Sequence, residues 1–280
     1  MTGAALRCML FVPGNRPERF AKGIASGVDA IIIDLEDAVP LAEKDSARSA
    51  VMAYLAAPRV GRAAVGVRIN ALGTAAGLRD LLALGDSGAV PDFVMLAKVS
   101  DAAEVRQAAA LTDARTGLVA LIESPGGLAC VESIAAAHPR LRALMFGGGD
   151  FAAESRAQFS WEPLLYGRQR LAAAAAAAGI EAIDVPFLDL QDVAGLEAET
   201  RRVLALGYTC KAAIHPSQVM PVQQCFAADQ ATLERAQRIV AAALEHGDGA
   251  FSFEGRMVDR PIVLAMQRIV AFGTLAGDRQ

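Results

Sequence analysis

The feature that most limits what this chain can fold into is a regular alternation. Short β-rich runs at Arg7–Val12, Ala30–Asp34, Val65–Ile69, Phe93–Ala97, Leu118–Ile122, Ala143–Phe146, Glu181–Ile183 and Lys211–Ile214 are separated by longer stretches of helix-forming composition. The helical stretches are Pro17–Ser26, Glu43–Ala56, Thr74–Leu84, Asp101–Ala114, Gly127–Ala137, Pro163–Ala178 and Gln191–Leu206. Runs such as AIIID and LVALI are apolar throughout, as expected of strands buried on both faces. Alternation of this kind predicts a parallel sheet with helices packed outside it. Eight such units in a chain of 280 residues, with no edge-strand signal, predict closure into a (β/α)8 TIM barrel; an open, doubly wound sheet is the alternative.

Two more helical stretches, Gln230–Glu245 and Pro261–Phe272, follow the eighth strand, with a Gly- and Asp-rich segment between them that reads as a loop. Barrel closure needs only one helix there. The expected organisation is therefore a barrel over residues 1–228 and a C-terminal helical extension over 229–280, packing on the barrel or on a neighbouring subunit.

Charge excludes some function classes. A net charge of −4 gives no electrostatic footprint for nucleic acid. The four cysteines, Cys8, Cys130, Cys210 and Cys225, lack metal-ligand spacing and read as reduced thiols, which with no convincing signal peptide predicts a cytoplasmic protein. No apolar run reaches the roughly 18 residues of a membrane helix.

In a TIM barrel, chemistry sits at the C-terminal ends of the strands. There the sequence places Arg16, then Asp34, Glu36 and Asp37, then Arg68 and Asn70, then Lys98, Glu123, Asp150, Asp184 and His215. Unpaired buried charge is costly, so a shared polar site is expected to explain them together. Glu123 and Asp150 lie one βα unit apart and so end adjacent strands, about 4.8 Å from each other. Carboxylates converging at that distance need a cation or a proton between them, and an all-oxygen donor set suits a hard ion such as magnesium. The alternative for both is helix capping. Arg68 either forks onto a substrate carboxylate or developing oxyanion, or pairs with Glu36 or Asp37. Lys98 reads as charge-balancing rather than as a Schiff-base lysine, and His215 as a fixed hydrogen-bonding residue.

The runs LFVPGNRPERFAKG, DAIIIDLEDAVP, VRIN, LIESPGGL, FGGGD and KAAIHPSQV, in this order along nearly the whole chain, resemble the citrate lyase beta subunit-like family of the HpcH/HpaI aldolase superfamily. The resemblance implies magnesium (Mg2+) on Glu123 and Asp150, substrate and enolate oxygen on Arg68, Phe11, Arg16 and Lys22 lining the entry for CoA or substrate, and Asp37 near the metal waters. It further implies that Asp259, in the MVDRP stretch, is an aspartate carried on the C-terminal extension, often to a neighbour's active site. Homotrimers or homohexamers acting on a small carboxylate, as a CoA thioester, are what such relatives suggest. This chain departs from the family pattern at Ala97-Lys98-Val99-Ser100, where an acid is usual in the last position, and in the stretches after Asp150 and Asp184. The expected activity is carbon–carbon cleavage of a 3-hydroxyacyl-CoA dicarboxylate such as malyl-CoA, citramalyl-CoA or citryl-CoA. An aldolase acting on free 2-keto-hydroxy acids and a non-catalytic ligand-binding paralogue are the alternatives.

Overall fold

The structure is a computed structural model and describes residues 6–58, 61–227, 229–247 and 249–277. It contains two compact units, Leu6–Gln223 and a second that begins at Gln224.

The first unit is a closed barrel of eight parallel strands in sequence order: β1 Cys8–Pro13, β2 Ala30–Asp34, β3 Ala64–Ile69, β4 Phe93–Leu96, β5 Gly117–Ile122, β6 Leu141–Phe146, β7 Glu181–Asp184 and β8 Cys210–Ala213. The ring closes between β1 and β8, where Cys8 pairs with Lys211. Alternate residues of the strands fill the interior: Met9, Ala30 and Ile32, Phe93 and Met95, Val119 and Leu121, Ala143 and Met145, Ile183, Cys210 and Ala212. This is a packed core rather than a pore. Gly66 on β3 makes room for it, because a Cβ there would stand 2.1 Å from the Phe93 ring. The intervening residues, such as Leu10, Val12, Ile31 and Ile33, are equally buried, as expected of strands enclosed on both faces.

The outer helices follow the expected positions with three differences, the first being an unanticipated helix, Val219–Phe226, after β8. The stretch after β5 forms two short helices, Pro125–Ala129 and Val131–Ala135, broken at Cys130. The glycine-rich stretch after β6 becomes a short helix, Gly148–Glu154, despite the low helix propensity of glycine, with Gly148, Phe151 and Ala152 buried. The long helix Trp161–Ala178 buries Leu164, Gly167, Leu171, Ala174 and Ala175 on one face and ends at Gly179 in the left-handed conformation.

In the second unit the helices Gln230–His246 and Arg260–Gly277 flank a segment expected to be a loop. It is instead an antiparallel hairpin, β9 Phe251–Phe253 with β10 Arg256–Val258. Glu254 and Gly255 both have positive φ, 51° and 75°, as a two-residue hairpin turn requires. Phe251 and Val258 pack with Ile239 into a small core, and Arg235 and Arg238 both hold Glu254. Strands of three residues are too short for their alternation to stand out in the sequence.

Candidate active site

The mouth of the barrel continues the alternation of its interior. One inward step beyond the core residues come Phe11 after Met9, Asp34 after Ile32, Arg68 after Gly66, Glu123 after Leu121, Gly147 after Met145, Val185 after Ile183 and Ile214 after Ala212. All seven line one cavity of about 460 Å3, together with Asp37, Gly149, Asp150 and Pro186. Leu121 and Met145 form part of its apolar wall.

Charge inside the cavity is tightly organised. Asp34 accepts the backbone N–H groups of Glu36 and Ala38. It also accepts two bonds from Arg68, from Nε at 2.7 Å and Nη2 at 2.6 Å. Arg68 Nη1 lies 2.9 Å from Glu36, and its guanidinium stacks 4.9 Å from the centre of the Phe11 ring. Burial works to lower the Arg68 pKa, but Asp34 and Glu36 outweigh it and keep the charge fixed. The ion pair anticipated with Glu36 is therefore present. Its main partner is Asp34, which sequence reasoning had not paired with Arg68.

Glu123 is buried, with Oε1 accepting the backbone N–H of Lys98 at 2.8 Å. Burial, reinforced by the negative charge of Glu36, pushes its carboxyl up to about 8. Gly147 is what lets β6 pass it: a Cβ at Gly147 would lie 2.3 Å from Glu123 Cβ and 2.8 Å from Oε2. Asp150 sits in the first turn of the following helix with its side chain half exposed. Burial and a hydrogen bond with Glu36 raise Asp37 to about 6. Glu36 goes the other way, because Arg68 and Lys98 together outweigh its burial.

The structure does not bring every expected residue here. Asp184 falls out of phase with Ile183 and faces the helix layer, fully buried between Arg168 Nε at 2.8 Å and Lys211 Nζ at 2.6 Å. Asn70 is likewise structural, bonded to Asp80 and to the Leu35 carbonyl. A single polar site therefore does not account for all the rim charges. His215 caps a short 3-10 turn through Nδ1 to Ser217. Arg16 and Lys22 are exposed and do not line the cavity. Asp259 belongs to the second unit, where Oδ1 faces the backbone N–H of Ile262 at 3.4 Å in the first turn of the last helix. The apolar walls, Leu121, Met145, Val185 and Ile214, were not anticipated. Their signal was the strand alternation itself, carried one step past each strand.

The donors that converge on the cavity are carboxylate oxygens. Histidine and cysteine are not among the described lining residues, and such a set fits a hard divalent cation with open positions for water or ligand oxygens.

The model of the HpcH/HpaI aldolase/citrate lyase family matches residues 7–216, most of the chain. The chain belongs to that family. It is 37% identical over 279 residues to the citrate lyase subunit beta of Leuconostoc mesenteroides, covering 94% of this chain and 92% of that one. It is 33% identical over 290 residues to the human mitochondrial citramalyl-CoA lyase, covering 96% and 85%. Among solved structures it is similar to the protein CitE of Mycobacterium tuberculosis in complex with magnesium, acetoacetate and coenzyme A, with a TM-score of 0.83, 36% identity and coverage of 97% and 99%. This member of the HpcH/HpaI family is thus an enzyme of the carbon–carbon lyase class, built as the TIM barrel of its relatives. None of its described helices is long and apolar enough to cross a membrane.

Proposed function

We propose that this HpcH/HpaI-family enzyme is a magnesium-dependent lyase that cleaves, or in reverse condenses, a 3-hydroxyacyl-CoA dicarboxylate of the malyl-CoA, citramalyl-CoA or citryl-CoA type. The products are an acetyl-CoA-type thioester and a 2-keto acid. The observation that carries this reading is the placement of Glu123 and Asp150 on one cavity with the fixed guanidinium of Arg68. The magnesium complex of the similar mycobacterial protein supports it.

Glu123 and Asp150 would hold the ion, which when bound supplies a positive centre for the carboxylate and hydroxyl or keto oxygens. Arg68 has five N–H donors, of which Asp34 and Glu36 engage three. The two that remain stabilise the enolate oxygen as charge develops there. A base takes the hydroxyl proton, the carbon–carbon electron pair passes to the thioester side, and an acid protonates the enolate carbon. Asp259 is the residue we assign to that proton transfer, delivered from the C-terminal unit of another copy in a homotrimer or homohexamer. Asp37, raised to about 6 beside Glu36, is the second candidate. Phe11 lies against Arg68 in the cavity, while exposed Arg16 and Lys22 would attract the phosphates of CoA.

The test is a thermal-shift series with magnesium and, in turn, coenzyme A, acetyl-CoA, pyruvate and glyoxylate, followed by turnover of the matching hydroxyacyl-CoA. Stabilisation by keto acid plus acetyl-CoA, with cleavage of the thioester, is the expected result. Stabilisation by free keto acids alone, with aldol cleavage of non-thioester substrates, would replace it with the free-acid aldolase reading.

A further inference from the structure

Lys98 touches both halves of the carboxylate pair. Its backbone N–H donates to Glu123 Oε1 at 2.8 Å. Its ammonium lies 2.9 Å from Glu36, 3.4 Å from Asp150 and 3.9 Å from Asp37. The contact through both main chain and side chain depends on an unusual backbone. Lys98 has φ of 55°, in the left-handed region that a long side chain rarely adopts. By alternation from Met95 the residue facing the mouth would be Ala97. The N–H of Lys98 meets Glu123, the left-handed φ sets the side chain and the following chain relative to it, and the next N–H, of Val99, rejoins β5 at the Leu121 carbonyl, 3.1 Å away. Strain of this kind persists only where the surroundings impose it, and it concentrates at functional sites.

We propose that Lys98 is a positioning residue that sets how tightly the Glu123–Asp150 pair takes a divalent cation. This rests on the reading of those two carboxylates as the metal ligands. The main chain of Lys98 fixes one oxygen of Glu123 and leaves Oε2 beside Gly147. The ammonium neutralises part of the negative charge that Glu36, Asp37 and Asp150 present to an incoming ion. Arg68 shares Glu36 but pairs mainly with Asp34, so Lys98 is the cation that reaches Asp150. Lys98 therefore holds the acids together while weakening the site for a bare cation. Removing its charge leaves the carboxylate pair more negative and tightens cation binding, by roughly tenfold for a unit charge close to a divalent ion at high dielectric.

The experiment is a titration with manganese, standing in for magnesium and read directly from its spin signal, in the absence of substrate. The variants are Lys98→Met, Lys98→Asn and Lys98→Arg, with Glu123→Ala as the control. Asparagine tolerates left-handed backbone, so the Asn variant keeps the loop if methionine disturbs it. The expected result is about tenfold tighter manganese binding in both Lys98→Met and Lys98→Asn, with wild-type affinity in Lys98→Arg. Unchanged or weaker binding in both neutral variants overturns the role of Lys98 and leaves the metal site standing. Equal tightening in Lys98→Arg also overturns it, since shape rather than charge would then be responsible. Wild-type protein that binds no more manganese than Glu123→Ala overturns the metal assignment and this inference with it.

Discussion

At the residue scale, the site depends on geometry as much as on charge. Arg68 forks onto Asp34 with two near-parallel bonds. A lysine there keeps the charge but loses the fork. Arg68→Lys is therefore expected to lower turnover by about 10²-fold or more, the effect of removing an oxyanion donor, while its melting temperature changes little by comparison. Steady-state kinetics beside a thermal melt checks this, and near-normal turnover would make Arg68 a purely structural ion pair. Glu123→Ala and Asp150→Ala should each abolish magnesium binding in isothermal titration with a keto acid present. Gly147→Ala is a subtler probe. Its new Cβ meets Glu123 Cβ at 2.3 Å, so Glu123 must move, and magnesium affinity should fall while the fold persists by circular dichroism. Wild-type affinity in that variant would mean that Glu123 does not need its present position to bind the ion.

At the element scale, the wall of the cavity is backed by a buried ionic network. Lys211 on β8 bonds Asp184 on β7, Glu199 on the helix Val193–Ala205 and the carbonyl of Val185, itself a lining residue. Removing one partner strands a buried charge, so Lys211→Met should cost about 3–5 kcal/mol in denaturant unfolding. A loss below about 1 kcal/mol would mean the network relaxes or hydrates freely. The same network sets an acid limit. Burial acts to raise Asp184, but Lys211 and Arg168 outweigh it and hold its carboxyl below the ordinary range. A depressed folded pKa contributes stability that is present above the unfolded value, about 3.9, and is lost as pH falls through the folded one. Asp184→Asn should therefore lower stability at neutral pH and flatten the acid limb of the unfolding curve. An acid limb identical to that of the wild type would show that other carboxylates carry it.

At the scale of the whole molecule, the C-terminal unit carries Asp259. Asp259 faces the first turn of the helix Arg260–Gly277, and Pro261 suits the start of that helix. Capping alone would explain an aspartate at this position. The proposed catalytic role predicts more. Inactive Asp259→Ala chains mixed with inactive Glu123→Ala chains should regain part of the activity once subunits exchange, because some sites then pair an intact Glu123 with an intact Asp259. Exchange confirmed by mass with activity still at zero would rule out a role in trans. Full turnover by Asp259→Ala, with only a lower melting temperature, would leave the cap as its function.

Residue type and spacing were enough to predict the barrel and several residues of the cavity at its mouth. Eight apolar runs at βα spacing predict a parallel sheet covered on both faces, and the number of units in this chain length favours closure over the open alternative. Asp37, Arg68, Glu123 and Asp150 were legible at or just past strand ends and Phe11 through the family resemblance, and all line the cavity. Tertiary structure decided which rim charges share that cavity. A strand turns successive side chains to opposite sides, so one residue of phase sends Glu123 into the mouth and Asp184 into the helix layer. It also decided that Arg68 pairs with Asp34, that a left-handed Lys98 reaches Glu123, and that the segment before Asp259 pairs as a hairpin. Those outcomes depend on distances between residues remote in sequence and on the backbone angle at one position, and neither is written in residue type or spacing.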